Sequence, residues 1–445
     1  MLSALEAWVA TLWHDRRGAS AVAFAASAMV IMGFVGLATE GGLWYLGRRT
    51  AQNAADAAAV AGALAAAYNA NAETAALNSA ASNGFTNTGN TTVTANLTPA
   101  TSSESAKVQV FVSQQMTPYI SAAFMTTPVT VGATATAQLK SIGASCVLST
   151  TGDLTISGTS ISSGCAFASN STSSTAINVT GGLLGSTAAT VGGCCGSGSV
   201  SLTGKPSSPY HPPTLNPYSA ADALAFPTFD ASTCDDIPAP ATYNGSNNTY
   251  RGQSVILLVP YNPAAPRAYC QTLSVTAGMP VIVPSGTYFF NNASLLMNGG
   301  VISCEATCAA PLLTGSTFIF TGDTGSIGTV GVGAGKTCNT SGTFSVIARQ
   351  TNTYFPALSG ILFYGRGIAN ASICASNARG RQPLGGGIYF PNSLLTFSGN
   401  STNPSTCVSM VAKTLTLASR TTIDTTGCAV YGTALAQMQG VRLVQ

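Results

Sequence analysis

The chain has 445 residues and a formal net charge of +3; 7% of its residues are charged and 46% are apolar. This length exceeds that of one ordinary domain and predicts two or three folded units. The small net charge, without a basic patch, argues against a nucleic-acid partner. The apolar content argues against a disordered chain, because disorder requires low hydrophobicity.

The first element is an apolar segment that predicts a transmembrane helix over residues 19–46. Its central part, Ala19–Thr39, contains no charged residue. At about 1.5 Å per residue this part is roughly 30 Å long as a helix, which matches the hydrocarbon core of a bilayer. Tyr45 lies where an interfacial aromatic belt is expected, and Arg49 would reach the headgroups. We expect a retained single-pass anchor preceded by a cytoplasmic N-terminus over residues 1–18; a cleaved signal peptide is the alternative.

The chain has 12 cysteines, all of them C-terminal to the anchor. An even number confined to one part of a long chain is typical of disulfides formed in an oxidising compartment. A zinc site would need clustered ligands. Cys304 and Cys308 have a C-x3-C spacing, but no second close cysteine pair and no histidine follows them. The arginines on the two sides of the anchor balance, so the disulfides decide the predicted orientation: inner membrane, with the C-terminal region periplasmic. The predicted disulfide cysteines are Cys146, Cys165, Cys194, Cys195, Cys234, Cys270, Cys304, Cys308, Cys338, Cys374, Cys407 and Cys428.

Residues 47–84 are rich in alanine and predict an extension of the anchor helix, continuous to about Tyr68, within a helical tract that ends at Asn83-Gly84. Residues 85–143 predict a small α+β unit, because alternating runs flank a short helical pattern over Met116–Phe124. The predicted strands of this unit are Thr91–Leu97, Lys107–Val112 and Val129–Leu139.

Residues 144–445 form the predicted cysteine-containing domain, in which short β-type runs alternate with Gly, Asn, Ser and Thr turns. A long loop is expected over residues 205–250. A repeat of roughly one solenoid coil in length predicts a mainly β protein whose C-terminal domain is a right-handed parallel β-helix; a β-sandwich is the alternative. The repeat places a glycine before an aromatic strand at Gly286, Gly315, Gly342, Gly360 and Gly387.

A set of residues before, within and after the anchor has a distinctive order and spacing. It comprises Arg16-Arg17-Gly18-Ala19, Phe24, Gly36-Leu37-Ala38, Gly41, Trp44-Tyr45, Arg48-Arg49 and the run Gln52-Asn53-Ala54-Ala55-Asp56-Ala57-Ala58-Ala59. This pattern resembles the N-terminal region of TadG-like Flp (Tad) pilus-assembly proteins, and the run after the anchor is its most specific part. The resemblance implies a membrane protein whose partners are the lipid bilayer and other Tad/Flp components.

Two positions depart from the family pattern. Glu40 stands where the family usually has Asp, and we expect its carboxylate to contact Arg48, Arg49 or a partner subunit, or to be solvated at the interface. Related prepilins carry Glu five residues after the processing glycine, whereas Ala23 stands at that distance from Gly18. This difference argues against prepilin processing.

We expect the anchor to pack against other helices through a surface of small residues, with Asp56 as a polar point on it; a solvated spacer helix is the alternative. The predicted membrane and helix-packing residues are Arg16, Arg17, Gly18, Phe24, Gly36, Glu40, Tyr45, Arg49 and Asp56.

Parallel β-helices also host polysaccharide lyases and hydrolases, so a carbohydrate-active enzyme is a second class of function. That chemistry needs paired carboxylates or a base poised against an acid. We interpret Asp235-Asp236 as a solvated turn, and Asp230-Ala-Ser232-Thr-Cys234 as a failed metal-adhesion motif, because Cys replaces its last hydroxyl. We expect no enzymatic activity, cofactor or metal. His211 is a weak candidate for Ser-His-Asp chemistry, and Arg379-Gly380-Arg381 for a small basic site that we interpret as loop surface. The glycine-rich Gly331–Lys336 lacks the full frame of a phosphate-binding loop, so we expect no nucleotide site there.

The predicted function is therefore a non-enzymatic, membrane-anchored component of Tad/Flp pilus biogenesis with an assembly, anchoring or envelope-spanning role. A minor pilin or a surface adhesin carried by the filament is an alternative, and a carbohydrate-active β-helix enzyme is another. The exact role, the disulfide pairing, any ligand of the β-helix and the oligomeric state stay open at this point.

Overall fold

The protein is mainly β, as the sequence predicts, and the described residues contain two α-helices. The chain forms two compact units, one of residues 1–140 and 441–445 and the other of residues 141–440. The computed structural model describes residues 16–99, 106–123, 126–185, 187–202, 207, 209–235, 242–244, 249–251, 256–276, 280–298, 300–305, 314–322, 330–331, 343–367, 370–374, 384–398, 407–418 and 421–444.

The N-terminal unit begins with a long helix, α1 (Arg16–Ala67), followed by a shorter one, α2 (Ala72–Ser82). The turn between them contains Asn69 with a positive φ of 54°. Asn71 then caps α2, because its side-chain oxygen accepts a hydrogen bond from the Thr74 N–H at 2.9 Å. The predicted helical tract is therefore divided in two, since the asparagines favour a turn and a helix start over continuation.

The second helix ends where the sequence predicts. Asn83 is its C-terminal cap, and Gly84 follows with φ of 89°, a left-handed conformation that glycine adopts at low cost.

A three-stranded antiparallel sheet completes this unit with β1 (Thr91–Thr98), β2 (Lys107–Met116) and β3 (Val129–Ser149). The central strand β2 alternates between buried and exposed positions, and it packs on α1. Its buried residues Val108, Val110 and Val112 face the helices as one apolar stripe. The helix predicted over residues 116–124 is wrong for most of its length, because β2 occupies Met116 and only a 3-10 turn forms, over Ser121–Ala123.

The described residues after β3 form strands, some of which coincide with apolar runs of the sequence, together with 3-10 turns at Ser219–Ala223 and Pro356–Leu358. In chain order the strands are β4 (Leu154–Ile156), β5 (Thr159–Ser163), β6 (Ala166–Ser169), β7 (Ile177–Val179), β8 (Gly182–Gly185), β9 (Ala188–Thr190), β10 (Cys194–Gly196), β11 (Ser199–Leu202), β12 (Cys234–Asp235), β13 (Thr242–Asn244), β14 (Thr249–Arg251), β15 (Ile256–Leu257), β16 (Ala268–Tyr269), β17 (Leu273–Thr276), β18 (Pro280–Val283), β19 (Gly286–Asn291), β20 (Leu295–Asn298), β21 (Val301–Cys304), β22 (Ser316–Thr321), β23 (Val330–Gly331), β24 (Thr343–Ser345), β25 (Ile361–Gly365), β26 (Asn370–Cys374), β27 (Gly386–Ser398), β28 (Val408–Ala418), β29 (Thr421–Asp424) and β30 (Ala436–Val444).

Strands of the second unit pair in parallel to form a ladder, and the register shifts within two of the four pairs that follow. Strand β19 pairs with β22, β22 with β25, β25 with β27, and β27 with β28. Equivalent side chains therefore stack across the ladder: the ring centroids of Tyr288 and Phe318 are 5.4 Å apart, and those of Phe290 and Phe320 are 5.2 Å apart. This stacking explains four of the five repeated aromatic strands; the fifth, β24, pairs with β21 instead.

The order of strands in this ladder differs from their order in the sequence. Strand β28, near the C-terminus, pairs with β27 on one side and with β3 and β4 on the other. Strand β4 pairs with β7, and β7 with β10. At the opposite end, β19 pairs with β16, and β16 with β12. The chain between β10 and β12 therefore connects the two ends of the ladder.

That connection covers the outer aromatic face of the ladder. Within it, Tyr218 contacts Tyr389 with ring centroids 5.5 Å apart, and Phe229 contacts Phe289 at 5.0 Å. Phe226 lies against the same aromatic cluster. Where it is described, the segment predicted as a loop over residues 205–250 contains the 3-10 turn Ser219–Ala223, the short strands β12 and β13 and the start of β14. Several of its aromatic side chains are part of a core.

Candidate functional site

The apolar half of α1 is exposed along its length. Among the described residues, this helix is the one long and apolar enough to cross a membrane, over Ser20–Ala67. Phe24 is 76% exposed and Phe34 is 68% exposed. Such an exposed apolar helix cannot be a core element of this unit, so its surface needs another apolar environment. Arg16, Arg17 and Gly18 lie in the first turn of α1.

Glu40 lies at the end of this exposed half of α1 and is itself buried. One carboxylate oxygen accepts a hydrogen bond from the Tyr119 N–H at 2.8 Å, and the other accepts one from the Ser121 N–H at 2.7 Å. The Ser121 hydroxyl donates a third bond at 2.9 Å. These partners differ from the arginines expected from the sequence. The carboxylate holds the loop between β2 and β3 against the helix through charge-assisted bonds.

Gly36, one helical turn before Glu40, packs against the same loop. A Cβ placed on Gly36 would lie 2.6 Å from Cγ2 of Ile120, so only glycine allows this close approach. The loop side chain therefore packs directly on the apolar part of α1, which gives Gly36 a role within this chain.

Tyr45 and Arg49 lie one turn apart on the exposed surface of α1. The guanidinium carbon of Arg49 is 5.8 Å from the centroid of the Tyr45 ring, which is a cation–π geometry. Tyr45 is 64% exposed. Their placement fits an aromatic and a basic side chain at the membrane–water boundary.

The alanine-rich run after the anchor packs inside its own unit. The Gln52 amide donates to the Asp56 carboxylate at 2.8 Å and to the Thr134 carbonyl of β3 at 3.3 Å. The small residues of this face are buried against α2 and β2, so the face expected to contact other anchors is covered by this chain. They are Ala51, Ala54, Ala55, Ala58, Ala59 and Ala63.

Gly62 continues this face of small residues. A Cβ at Gly62 would lie 2.8 Å from Cγ1 of Val108 and 3.0 Å from the Ala72 carbonyl oxygen. The spacing of the small residues along α1 therefore sets how closely α2 and β2 approach it.

The second unit carries the cysteines, and the structure brings four pairs to disulfide distance. Cys304 is also disulfide-bonded. Cys308 and Cys338 lie outside the described residues, and Cys374 is described in its backbone only. The four pairs are Cys146–Cys165, Cys194–Cys195, Cys234–Cys270 and Cys407–Cys428.

Three tyrosine hydroxyls attach the connecting segment to the rest of the second unit. The Tyr389 hydroxyl is 2.6 Å from Oδ1 of Asp222, and the Tyr218 hydroxyl donates to the Ala434 carbonyl at 2.7 Å. The Tyr364 hydroxyl donates to the Ala221 carbonyl at 3.2 Å. Burial, and then the bond to Asp222, raise the pKa of Tyr389, and burial raises the pKa of Tyr364 to about 12. The sequence alone missed these contacts, because their partners are far apart along the chain.

The candidate acids of the second unit take part in local contacts. Asp235 lies 2.6 Å from the Arg267 guanidinium on the surface, and Asp236 lies outside the described residues. The Ser232 hydroxyl and backbone hold the pKa of Asp230 below its usual range. Cys234, which ends the failed adhesion motif, pairs with Cys270.

His211 is buried, and its Nδ1 lies 2.9 Å from the Pro212 carbonyl oxygen. Its imidazole therefore contacts the backbone of its own loop. Arg379, Arg381 and Lys336 lie outside the described residues.

A cavity of about 440 Å³ opens beside the connecting segment. Phe226 and Phe229 form an apolar wall, and Asn291, Thr321 and Arg366 supply polar groups. Within the described part of the chain, no carboxylate and no imidazole lines it. The described lining can contact a small polar molecule but offers no acid–base pair of the kind that glycoside cleavage requires.

The comparisons with known proteins concern the helical part of the N-terminal unit. No curated protein and no solved structure matches the chain. The model of one family, described as putative Flp pilus-assembly TadE/G-like, matches residues 18–67. This range covers the exposed apolar half of α1, Glu40 and the buried alanine face. The match confirms the resemblance: over residues 18–67 the chain is similar to TadE/G-like Flp pilus-assembly proteins.

Proposed function

We propose that this protein is a non-enzymatic, membrane-anchored component of Tad/Flp pilus biogenesis. The observation that carries the proposal is the match of residues 18–67 to the TadE/G-like family, over a helix with two different surfaces. Its first half exposes apolar side chains, whereas its second half buries alanines against α2 and β2. One rigid helix would then join a bilayer to a folded unit, which is the construction that an anchoring component requires.

The proposed orientation places the N-terminus in the cytoplasm and the two folded units in the periplasm. The disulfide-distance pairs support it, because disulfides persist in oxidising compartments. Alkaline phosphatase fused to the C-terminus, which folds only outside the cytoplasm, is expected to be active in intact cells. An inactive C-terminal fusion beside an active N-terminal one would reverse the orientation.

We also propose that the second unit is a right-handed parallel β-helix. The parallel ladders and the stacked aromatic residues support this arrangement, since each coil of a solenoid buries its apolar face on its neighbours. Right-handed crossovers are the rule for parallel connections. The low content of charge fits such a unit, which would present a rigid surface to a partner or to the cell envelope.

Deletion of the gene tests the proposed role. We expect fewer Flp pili on the cell, restoration of pili by the wild-type gene, and co-purification of the tagged protein with pilus-assembly components from membranes. Unchanged pili together with no co-purified component would refute the proposal.

Cell fractionation separates this role from that of a minor pilin. A retained anchor stays in the membrane after filaments are sheared off and keeps its residues before Ala19. A protein found in sheared filaments with Ala19 as its first residue would instead be a processed pilin.

A further inference from the structure

The loop between β2 and β3 lies against the apolar half of α1, inside the segment that the proposed function places in a bilayer. Ile120 contacts α1 at Gly36, within the uncharged stretch Ala19–Thr39. Gly36 precedes Glu40 by four residues, which is about 6 Å along a helix axis. If the apolar stretch is in the membrane, the tip of this loop is at the same depth as its outermost turn.

The loop is held there by bonds that do not depend on water. The Tyr119 and Ser121 N–H groups both donate to the Glu40 carboxylate. Buried or lipid-exposed N–H groups without partners are costly, and these two are already satisfied by a charged acceptor. These two N–H groups can therefore enter a region of low water content without losing their hydrogen bonds.

The side chains at the tip are suited to the membrane interface. Tyr119 is 77% exposed and Ile120 is 49% exposed. No charged residue occurs between Lys107 and Lys140, so the loop brings no charge into the lipid. Tyrosine is enriched at membrane–water interfaces, where its ring contacts apolar material and its hydroxyl contacts water.

We propose that the loop Thr117–Ser121 is a second membrane contact, in which Tyr119 and Ile120 insert into the boundary between headgroups and acyl chains of the leaflet that α1 crosses. This inference rests on the proposed membrane span. Interfacial segments bury their apolar side chains about 5–10 Å into this boundary. This range includes the distance of about 6 Å between Gly36 and Glu40 along the helix axis. Two membrane contacts, α1 and the loop, would fix the tilt of the N-terminal unit relative to the bilayer. With α1 as the single contact, the helix and the unit attached to it could change their tilt together.

Depth-dependent fluorescence quenching of the full-length protein tests the proposal. The starting protein carries Phe in place of Trp8, Trp13 and Trp44, and a single tryptophan is then introduced by Tyr119→Trp. It is reconstituted into phosphatidylcholine–phosphatidylglycerol vesicles brominated at shallow or deep acyl positions. We expect shallow bromines to quench the emission by roughly half, as for an interfacial aromatic residue, and deep bromines to quench it less.

Two matched variants in the same background make the outcomes distinguishable. Phe111→Trp places the probe on β2, which runs from Met116 beside Gly47 to Val108 beside Gly62, and so leads away from the apolar half of α1. This probe should stay unquenched. Phe24→Trp reports on the span itself, because Phe24 lies within it, and deep bromines should quench it.

Quenching at positions 24 and 119, with none at 111, supports the loop contact. Quenching at position 24, with emission at 119 as insensitive as at 111, overturns the loop contact and leaves the membrane anchor intact. No quenching at position 24 overturns the membrane span, and the loop contact with it.

Discussion

Glu40 accepts two hydrogen bonds from Ser121, one from the backbone N–H at 2.7 Å and one from the hydroxyl at 2.9 Å. This carboxylate lies within the residues that match the TadE/G-like model, and its hydrogen bonds join α1 to the loop between β2 and β3 of the same unit. Both carboxylate oxygens of Glu40 therefore have hydrogen-bond donors within this chain.

Glu40→Ala should release this loop from the helix. The Tyr119 and Ser121 N–H groups lose their acceptor, so we expect their amide hydrogen exchange to become much faster while exchange in the centre of β2 is unchanged. Hydrogen–deuterium exchange of the full-length protein in lipid measures both. Glu40→Gln is the matched control, because its carbonyl oxygen still accepts a bond, and it should show a smaller effect. Equal protection in all three proteins would contradict this role for Glu40.

Gly62→Leu should destabilise the N-terminal unit, because its side chain would overlap Val108 and the Ala72 carbonyl. Overpacking of this kind costs about 1–3 kcal/mol. The local free energy of unfolding, obtained from amide exchange of β2, is the measurement. Gly42→Leu is the control: a Cβ there meets no atom within 4 Å, and stability should stay constant or rise. A loss of stability at Gly42 equal to that at Gly62 would show that the packing at Gly62 is not the cause.

Removal of the Cys407–Cys428 disulfide by Ala substitutions should lower the stability of the second unit. The bond closes a loop with a sequence separation of 21 residues. Loss of such a cross-link costs about 3 kcal/mol through the entropy of the unfolded chain. Denaturant titration of the oxidised proteins measures the change. The control is the Cys194–Cys195 pair, whose sequence separation of 1 closes no comparable loop, so its removal should cost less.

The buried tyrosines predict a loss of stability in alkali. Tyr364 has an ordinary pKa of 10 when unfolded and about 12 when folded. Above pH 10 the unfolded chain therefore releases protons that the folded chain keeps, and stability falls as the pH rises from 10 through 12. The contribution of Tyr364 is roughly 3 kcal/mol at most. Unfolding curves at several pH values measure it, and Tyr364→Phe should flatten the dependence; an unchanged slope in that variant would exclude Tyr364 as a source.

Asp235→Asn should have little effect on stability. Its partner Arg267 has a side chain that is 53% exposed, and surface ion pairs contribute about 0–1 kcal/mol. Thermal unfolding of the variant beside Arg267→Gln provides the comparison. A large and equal loss of stability in both variants would indicate that this pair has a structural role that its exposure does not suggest.

Local patterns in the sequence were sufficient for most elements. The uncharged run after Gly18 and the alternation in Lys107–Val112 both predict the element that forms, because periodicity and propensity act over neighbouring residues. The Gln52–Ala59 run, the most specific part of the resemblance to the TadE/G-like family, is also a local pattern. Its small residues and its Gln52–Asp56 contact are spaced by the helix itself.

Only the tertiary structure decided which distant residues meet. Nothing in the sequence near Glu40 indicates that its partner is Ser121, and the order of strands gives no sign that β28 pairs with β4. Contacts of this kind depend on how whole elements pack, since many strands of similar apolar character could pair equally well with one another locally. The sequence by itself therefore determined many of the elements and the similarity of residues 18–67 to the TadE/G-like family. Packing between residues that are distant in the chain determined the hydrogen bonds between Glu40 and the loop after β2, and the order in which the strands of the second unit stack.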